Sequence, residues 1–466
     1  MTTQPDKTPP ETSGRPPGRI RQDLTTGSIA GAIGRLAPPI MLAFMVQVVI
    51  NITALYFVGE LGSEAVAAVG VSGQIIMIIA SIFVGIGNAS TALVARAVGA
   101  GDLPRADHVA TQSILTAVAL AVAVGVPGYF LAPRLLAMIG AAPGVVASGV
   151  GFLQINFIGL AVITALMVGG GVVRGAGDAV TPLVVTVIAA VVNVALVPVC
   201  VRGYLGCPAL GVNGAAIAGL AAQTVGLACG AWVLATGRVR VRIRLREFRP
   251  DLAVIKSITF IGVPMSVQMA LRGLMDLVLM GIAAHFGTAL LAAYNIGMRL
   301  RMVGFMPGFG IAEAAAMLVG QNLGAGKPGR ARQSALIAAN LALVVMGGAG
   351  LLSYIYATPL MMVFAKDAAV IAAGTLMLKI SAAGMAFAAV GIVLNRAIGG
   401  AGDSVPPMII TLVALWGFQA PAAYWMAHMP ALGANGIWIA MVAAALLQAA
   451  ATAAYFATGR WMRKKG

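Results

Sequence analysis

Long uninterrupted runs of apolar residues dominate the pattern of this chain. Residues 36–59, 65–95, 109–133 and 179–201 contain no Asp, Glu, Lys or Arg. Each run exceeds the roughly 20 residues that a helix needs to cross a bilayer. The runs do not alternate between apolar and polar positions as the strands of a membrane barrel would. The pattern therefore predicts membrane-spanning helices.

Glycine, proline and charged residues divide the chain into about twelve such spans. The run 404–459 is too long for one span and breaks at Met429-Pro430-Ala431-Leu432-Gly433, so it is interpreted as two. The predicted fold class is an all-α, polytopic membrane protein. The predicted spans are 33–58, 65–97, 109–132, 148–172, 179–201, 209–236, 256–284, 289–322, 333–361, 376–397, 405–428 and 433–458.

An internal repeat with one constant offset organises these spans. The offset that aligns Pro39 with Pro264 also aligns Gly62 with Gly287, and it persists to Pro182 and Pro407. A unit of six spans returns the chain to its starting side, so both copies have the same orientation. The repeat predicts two pseudo-symmetric six-helix bundles, related by an axis along the membrane normal, with a substrate site between them.

The predicted domains follow from this repeat. They are a disordered cytoplasmic arm (1–30), an N-terminal six-helix lobe (31–236), a basic cytoplasmic linker (237–254), a C-terminal six-helix lobe (255–459) and a basic cytoplasmic tail (460–466). Arginine alternates with apolar residues from Arg238 to Arg246, a pattern that a strand would also show. A topogenic linker that touches anionic headgroups is the preferred interpretation.

Composition agrees with a membrane protein, since 60% of the residues are hydrophobic and 9% are charged. The formal net charge of +16 does not require a nucleic-acid partner, because most of the 30 Lys and Arg residues fall on the side of the N-terminus. Such a bias marks the cytoplasmic side. We expect a multi-pass protein of the cell inner membrane with both termini cytoplasmic. The expected partners are the lipid bilayer and a small-molecule substrate, and the chain is expected to be a monomer.

Several ordered motifs resemble those of the MATE (multidrug and toxic compound extrusion) family. The resemblance covers roughly residues 25–460. The motifs that carry it include Leu36-Ala-Pro-Pro39, Gly59-Glu-Leu-Gly62, Gly99-Ala-Gly-Asp102, Arg174-Gly-Ala-Gly-Asp178, Ala293-Tyr-Asn-Ile-Gly297 and Val319-Gly-Gln-Asn-Leu-Gly-Ala-Gly326. The resemblance implies an antiporter that expels organic, often cationic or amphipathic, compounds in exchange for H⁺ or Na⁺. It implies no cofactor besides the coupling ion, and no enzyme activity.

The chain departs from that family pattern at its acidic positions. Positions where many members carry Asp are Ala54 and Val197 here, although Asn193 is kept, and a seventh-span Glu is replaced by Arg272. The carboxylates that usually couple ion flow are therefore not carried over.

Two acids do lie deep in predicted spans, and they are the candidate coupling groups. Ionisable groups in a membrane cost about 2.5–3.5 kcal/mol each on insertion scales, so they are rarely idle. The prediction is that Asp276 and Glu313 form one coupling site, with Arg272 competing against the incoming ion. The alternative is an ion pair of Arg272 with Asp276 or Glu313 that only neutralises itself.

In the first half of the chain, the polar residues of the candidate substrate cavity are neutral amides. Under the repeat, Asn51 corresponds to Asp276 and Asn88 corresponds to Glu313. The alternative for each amide is a hydrogen bond that only joins two helices. Arg299 is equally consistent with cavity lining and with interfacial snorkelling, and snorkelling is preferred for Arg301. The predicted cavity residues are Gln47, Asn51, Asn88, Gln154, Asn156, Asn193, Met269, Arg299 and Met306.

Other chemistry has weak support in the sequence. A disulfide between Cys200 and Cys207 is possible in an oxidising compartment. The three His residues have no metal-ligand spacing, and no Walker A motif is present. The alternatives to a multidrug antiporter are a lipid-linked sugar flippase or dedicated metabolite exporter of the same superfamily. An intramembrane enzyme and a general twelve-helix facilitator are weaker possibilities.

Overall fold

The computed structural model describes residues 23–140, 142–206, 208–243 and 249–464. Twelve helices in these ranges are long and apolar enough to cross a membrane. The all-α, twelve-span fold predicted from the sequence is therefore confirmed. The helices are Ile29–Gly59 (α1), Ser63–Gly99 (α2), Leu103–Met138 (α3), Pro143–Gly175 (α4), Val180–Arg202 (α5), Gly211–Thr236 (α6), Leu252–Ala284 (α7), Thr288–Gly324 (α8), Pro328–Ile355 (α9), Ala357–Phe364 (α10), Ala368–Gly400 (α11), Val405–Leu412 (α12), Ala420–Ala427 (α13) and Asn435–Ala457 (α14).

Two predicted spans are interrupted in the structure. The ninth predicted span reaches residue 361, but α9 ends at Ile355 and the short helix α10 follows it. The eleventh span is continuous over Val405–Ala427, yet residues Val413–Gln419 form a π-helical segment between α12 and α13. Wide π-helical turns inside α-helices often occur at functional sites.

The helices form two lobes, and the loops of both lobes lie at the same two ends of the bundle. The first lobe contains α1–α6 and the second contains α7–α14. We call the end of the bundle that carries residues 23–28, 237–243, 249–251 and 458–464 the termini face, and the other end the opposite face. Neighbouring spans along the chain run antiparallel, so the loops alternate between these two faces.

Tight turns of one sequence type close four helices at the termini face. The motif Gly-Ala-Gly recurs at the ends of α2, α4, α8 and α11. Its second glycine has a positive φ at all four places, which are Gly101 (76°), Gly177 (94°), Gly326 (69°) and Gly402 (85°). Glycine populates this left-handed region without the steric penalty of a side chain. The first-copy turns then present two aspartates: Asp102 accepts a hydrogen bond from the backbone N–H of Arg105, and Asp178 accepts from those of Val180 and Thr181.

Reciprocal contacts between α2 and α8 reveal the pseudo-two-fold axis. A Cβ placed on Gly99 would lie 2.0 Å from the carbonyl oxygen of Gln321. A Cβ placed on Gly324 would lie 2.0 Å from the carbonyl oxygen of Arg96. Gly99 and Gly324 are equivalent under the internal repeat, and so are Arg96 and Gln321. Contacts that exchange partners in this way are the mark of a two-fold interface.

A second reciprocal pair lies deeper in the bundle. Gly85 of α2 approaches the backbone of Gly262 in α7, where a Cβ would be 2.3 Å from its carbonyl oxygen. The equivalent Gly310 of α8 approaches Ala37 in α1, with a corresponding distance of 3.0 Å. The axis therefore runs between α2 and α8, parallel to the helices, as the parallel repeat predicted.

The chain start is partly ordered, which corrects one predicted boundary. Residues 1–22 lie outside the described ranges, but residues 23–30 do not belong to a disordered arm. Leu24 is buried, and the Ser28 side chain accepts a hydrogen bond from Gly31 N at the start of α1. Arg330 of the second lobe donates to the backbone oxygens of Thr26 and Gly27.

The linker and the tail also contact the lobes. The backbone N–H of Arg242 donates to Asp107 of α3 at 2.8 Å, and Gln112 donates to the backbone oxygen of Arg249. Val239 and Val241 are buried beside α3, so the alternating pattern reflects burial of one side of an irregular segment. Residues 244–248 lie outside the described ranges. In the tail, Trp461 is fully buried and stacks on Phe456.

Candidate functional site

The two lobes are joined in the half of the bundle near the termini face. Ser266 of α7 donates to the backbone oxygen of Ile82 in α2 at 2.7 Å. Phe44 of α1 meets Phe309 of α8 edge to face, with ring centroids 6.4 Å apart. Among the described residues, the hydrogen bonds between lobes all lie at this level or nearer to the termini face. The space between the lobes is therefore closed at the termini face.

A charged cluster lies inside this closed half. Arg396 of α11 donates to the Glu313 carboxylate of α8 and, at 3.0 Å, to Oδ1 of Asn88 in α2. Arg174 of α4 also acts electrostatically on Glu313. Two of these residues belong to each lobe, so the carboxylate of Glu313 attracts cations from both sides of the interface. We call Asn88, Arg174, Glu313 and Arg396 the interlobe cluster.

The interlobe cluster carries two cations against one carboxylate. The Glu313 and Arg396 side chains are only 16% and 17% exposed, so water screens them weakly. Within the described part of the chain, Glu313 Oε2 and Arg174 Nε are buried and have no hydrogen-bond partner. A buried carboxylate held in this way is sensitive to any change in its charge, because unpaired charges at low dielectric cost several kcal/mol.

A second charged group lies within the second lobe, nearer the opposite face. Arg272 and Asp276 of α7 face Arg301 of α8, and both arginines act electrostatically on the Asp276 carboxylate. The Tyr294 hydroxyl donates to the backbone oxygen of Asp276 at 3.2 Å. We call this group of side chains the C-lobe pocket. It consists of Arg272, Asp276, Tyr294 and Arg301, with Met298 and Met441 beside Arg301.

The structure does not bring Asp276 and Glu313 together, which corrects the prediction of one joint site. Asp276 lies near the end of α7 at the opposite face, whereas Glu313 lies in the last third of α8, toward the termini face. At roughly 1.5 Å per residue, their depths below the opposite face are about 12 Å and about 37 Å, a difference of about 25 Å. Arg272 lies near Asp276, while the salt-bridge partner of Glu313 is Arg396.

The predicted amides of the first lobe are dispersed. Gln154 donates to the backbone oxygen of Tyr129 at 3.3 Å, and Asn156 donates to Phe152 one turn earlier in its own helix. The Gln154 bond joins α4 to α3, which is the structural role that the sequence left open, whereas the Asn156 bond lies within α4. Gln47 and Asn51 are not buried on α1, and Asn193 is buried in α5. Of the predicted amides, only Asn88 joins a charged cluster of the described residues.

The remaining predicted cavity residues divide by exposure. Met269 and Arg299 are exposed, so both are free to line the space between the lobes. Met306 is 8% exposed and does not form part of the cleft wall in this conformation. The disulfide that the sequence allows between Cys200 and Cys207 is not described, since Cys207 lies outside the described ranges.

Three functional candidates are not among the residues predicted from the sequence. The charge count places Arg174 and Arg396 with the cytoplasmic basic residues, although both lie inside helices. Arg301, for which snorkelling is the preferred interpretation, lies well inside α8, which begins at Thr288. The distance from the nearest loop could have identified Arg301, but Arg174 and Arg396 lie close to the ends of α4 and α11, and only the packing of the helices assigns them to the cluster.

The family comparison agrees with this architecture. The MatE family model matches residues 39–199 and 264–425. The second match begins at Pro264, the residue that the internal repeat pairs with Pro39 at the start of the first match. This chain belongs to the MatE family.

Individual relatives cover the MatE chain almost completely. A probable multidrug resistance protein NorM from Thermotoga maritima is 27% identical over 438 residues, which are 92% of each chain. A MOP superfamily transporter from Pyrococcus furiosus, described by a reversed polarity of its binding pocket, superposes with a TM-score of 0.88 at 26% identity, covering 95% of this chain and 98% of that one. An outward-facing multidrug resistance MATE transporter superposes with a TM-score of 0.86 at 26% identity, covering 94% and 96%.

These similarities establish the general class of this MatE protein. It is a multi-pass membrane transporter of the multidrug efflux family, and small molecules are the substrates of that family.

Proposed function

We propose that this protein is a secondary active antiporter that exports amphipathic organic compounds in exchange for H⁺ or Na⁺ by alternating access. The observation that carries the proposal is the interlobe cluster, in which one carboxylate holds cations of both lobes at the closed end of the cleft. A group that takes up an ion at this position changes the attraction between the lobes. Ion binding and conformation are then linked, as antiport requires.

The proposed orientation places the termini face in the cytoplasm. The termini face carries the basic linker and tail, and basic residues concentrate on cytoplasmic loops. In this orientation the described conformation is outward-facing, with the cleft closed toward the cytoplasm. The likeness to an outward-facing MATE transporter supports the same assignment.

The proposed coupling step acts on Glu313. In the closed conformation its carboxylate is held by Arg396 and attracted by Arg174. A proton on Glu313, or a sodium ion beside its free Oε2, removes or offsets that negative charge and leaves the arginines to repel each other. Breaking one partner of a buried ion pair costs about 3–5 kcal/mol, which is enough to reverse a conformational preference. The termini face then opens and substrate is loaded from the cytoplasm.

The test uses the approximate symmetry of the cluster. Glu313→Gln keeps the side-chain shape and removes the charge, and Asn88→Asp places a carboxylate at the equivalent position, which Arg396 already contacts. We expect Glu313→Gln to abolish efflux driven by imposed H⁺ or Na⁺ gradients in inverted vesicles. The double variant Asn88→Asp/Glu313→Gln should recover part of it.

The assay needs a panel of cationic, zwitterionic and anionic dyes, because it must report coupling whatever the substrate charge. Arg134→Gln, which removes an exposed cation of α3 outside the interlobe cluster, is the matched control and should retain gradient-driven efflux. Full gradient-driven efflux by Glu313→Gln would place the coupling site elsewhere. Asp276→Asn should retain coupling, since Asp276 lies outside the cluster.

A dedicated exporter of one metabolite class is the second candidate. The C-lobe pocket favours it, because two arginines and one aspartate form a less permissive surface than an apolar cavity. The transporter from Pyrococcus furiosus, with its reversed pocket polarity, supports a departure from cationic drugs. A screen of export from cells grown on labelled metabolites, with and without the protein, distinguishes this candidate from broad multidrug efflux.

A further inference from the structure

We propose that the C-lobe pocket binds the acidic headgroup of an organic anion, a carboxylate or a phosphate, between Arg272 and Arg301. This inference rests on the proposed transport function only in taking the bound anion to be a transported substrate. It differs from the cationic substrates that the family resemblance implied. Three features carry it: the charge of the pocket, the free donors of Arg301 and the depth of the two arginines.

The charges of the pocket favour an anion. Two guanidinium groups surround the single carboxylate of Asp276, so the three groups together carry one positive charge. Among the described residues, neither arginine forms a salt bridge with Asp276, although both act on it electrostatically. The carboxylate therefore balances the arginines without occupying their hydrogen-bond donors. A cation entering the pocket would meet a net repulsion.

Arg301 has donors that the protein does not satisfy. A guanidinium group offers five N–H donors in a fixed fork. The hydrogen bonds of Arg301 in the described structure are made by Nη1 to the thioether sulfurs of Met298, at 3.5 Å, and Met441, at 3.9 Å. Thioethers are weak acceptors, and the buried Nε has no partner among the described residues. A carboxylate or phosphate would accept two parallel N–H bonds from this fork.

The two arginines lie at the same depth. Measured from the opposite-face ends of α7 and α8 at roughly 1.5 Å per residue, Arg272 is about 18 Å deep and Arg301 is about 20 Å deep. On the same scale Asp276 and Tyr294 are nearer the opening, at about 12 Å and about 9 Å. An anion approaching from the opposite face would pass Asp276 first and then meet two donors at one level.

The walls of the pocket suit an apolar body behind the headgroup. Arg301 lies over the half-buried Phe305 ring, and the half-buried thioethers of Met298 and Met441 lie beside it. Methionine side chains adapt to ligands of irregular shape. The chemical class that fits is an amphipathic acid: an anionic headgroup between the arginines and an aromatic or aliphatic part against the Phe305 ring and the thioethers.

The test measures binding without any gradient, so its outcome is independent of ion coupling. The purified protein in phosphatidylcholine nanodiscs is titrated with carboxyfluorescein, an anion, and with rhodamine 123, a cation built on the same xanthene ring system. Fluorescence anisotropy gives the affinities, with empty nanodiscs as background. We expect the wild-type protein to bind carboxyfluorescein at least tenfold more tightly than rhodamine 123.

The variants assign the binding to the pocket. Arg301→Gln and Arg272→Gln should each weaken carboxyfluorescein binding roughly tenfold to a hundredfold, the range for hydrogen bonds to charged groups. Arg301→Lys should recover part of the affinity, and Asp276→Asn should strengthen it several-fold. Arg134→Gln is the matched control. It removes an equal charge from an exposed position of α3 in the first lobe, outside both charged sites, and should leave the affinity within twofold.

Two further arms complete the test. Replacing some phosphatidylcholine by phosphatidylglycerol shows the source of the anion: displacement of the dye assigns the pocket to a lipid headgroup, and unchanged binding assigns it to a soluble organic anion. Preference of the wild type for rhodamine 123, absence of carboxyfluorescein binding, or an equal loss in Arg134→Gln would each overturn the proposal. The binding comparison uses no gradient, so its failure is distinct from a failure of the coupling hypothesis, which the efflux assay of Glu313→Gln tests separately.

Discussion

The crossing of α2 and α8 at the termini face gives the sharpest prediction. Gly99 and Gly324 each lie against a backbone carbonyl of the other helix, and a Cβ on either would be 2.0 Å from that oxygen. Ordinary van der Waals contact begins at 3.4 Å, so an alanine must push the two backbones apart. A carbonyl oxygen cannot rotate away as a side chain can. Neither glycine has a positive φ, so alanine adds no backbone strain of its own.

The size of the effect follows from the cost of overpacking. Inserting a methyl group into a close-packed contact costs about 1–3 kcal/mol. This cost applies only when the termini face is closed, so Gly99→Ala and Gly324→Ala should each shift the equilibrium toward the open termini face about 5- to 150-fold. Because both substitutions strain the same crossing, their combined effect in the double variant should be less than the sum.

Spin labels at Ser63 and Thr288 measure this equilibrium. These residues are equivalent in the two copies, and both are exposed at the opposite-face ends of α2 and α8. The labels are placed in a variant without the three native cysteines. The distance between the two labels, measured by pulsed electron–electron double resonance, should shorten as the lobes close over the opposite face.

The matched control is Gly329→Ala, since a Cβ on this helical glycine of α9 meets nothing within 4 Å. It should leave the distance distribution unchanged. Equal distributions for Gly99→Ala, Gly324→Ala and the wild type would refute the inference that this crossing holds the lobes closed.

Three other variants test further parts of the structure. Ser266→Ala removes the bond to Ile82 but inserts no atom, so we expect a shift of less than about tenfold in the same spin-label distances, from a loss of about 0.5–1.5 kcal/mol. Trp461→Ala should lower the stability to unfolding in detergent by about 3–5 kcal/mol, because the ring is fully buried. The hydrogen bond with His108 holds the pKa of Asp251 below its usual value, so the Asp251 cap of α7 should persist as the pH falls toward the usual carboxyl pKa of 3.8 and be lost only below it. Hydrogen–deuterium exchange of the first α7 amides measures this cap, and Asp251→Ala should accelerate exchange at every pH at which the wild-type cap persists and have no effect at pH values below its loss.

The spans and the repeat were predictable because they depend on local composition. A helix must satisfy its own backbone in lipid whatever its neighbours are, so a charge-free run of sufficient length indicates a span. The glycine turns were visible for the same reason, since a left-handed turn restricts the residue at one position. The proposed orientation follows from counting basic residues.

The candidate coupling residues were only partly predictable. Asp276 and Glu313 stand out in the sequence because they are charged and far from loops. Their positions in the sequence also implied that they differ in depth by about 25 Å, because α7 and α8 can both be measured from the opposite face. Arg174 and Arg396 were missed, since a count of basic residues per side does not distinguish a loop arginine from one that points into the bundle.

The sequence by itself determined the twelve spans, the six-helix repeat and the rarity of charge at depth, because each is a property of short segments and of their order. Only the tertiary structure decided which charges meet. Arg396 is 83 residues from Glu313, and Asn88 is 308 residues from Arg396. Such partners are selected by how α2, α4, α8 and α11 pack, and packing depends on the whole set of glycine contacts between lobes rather than on any local pattern.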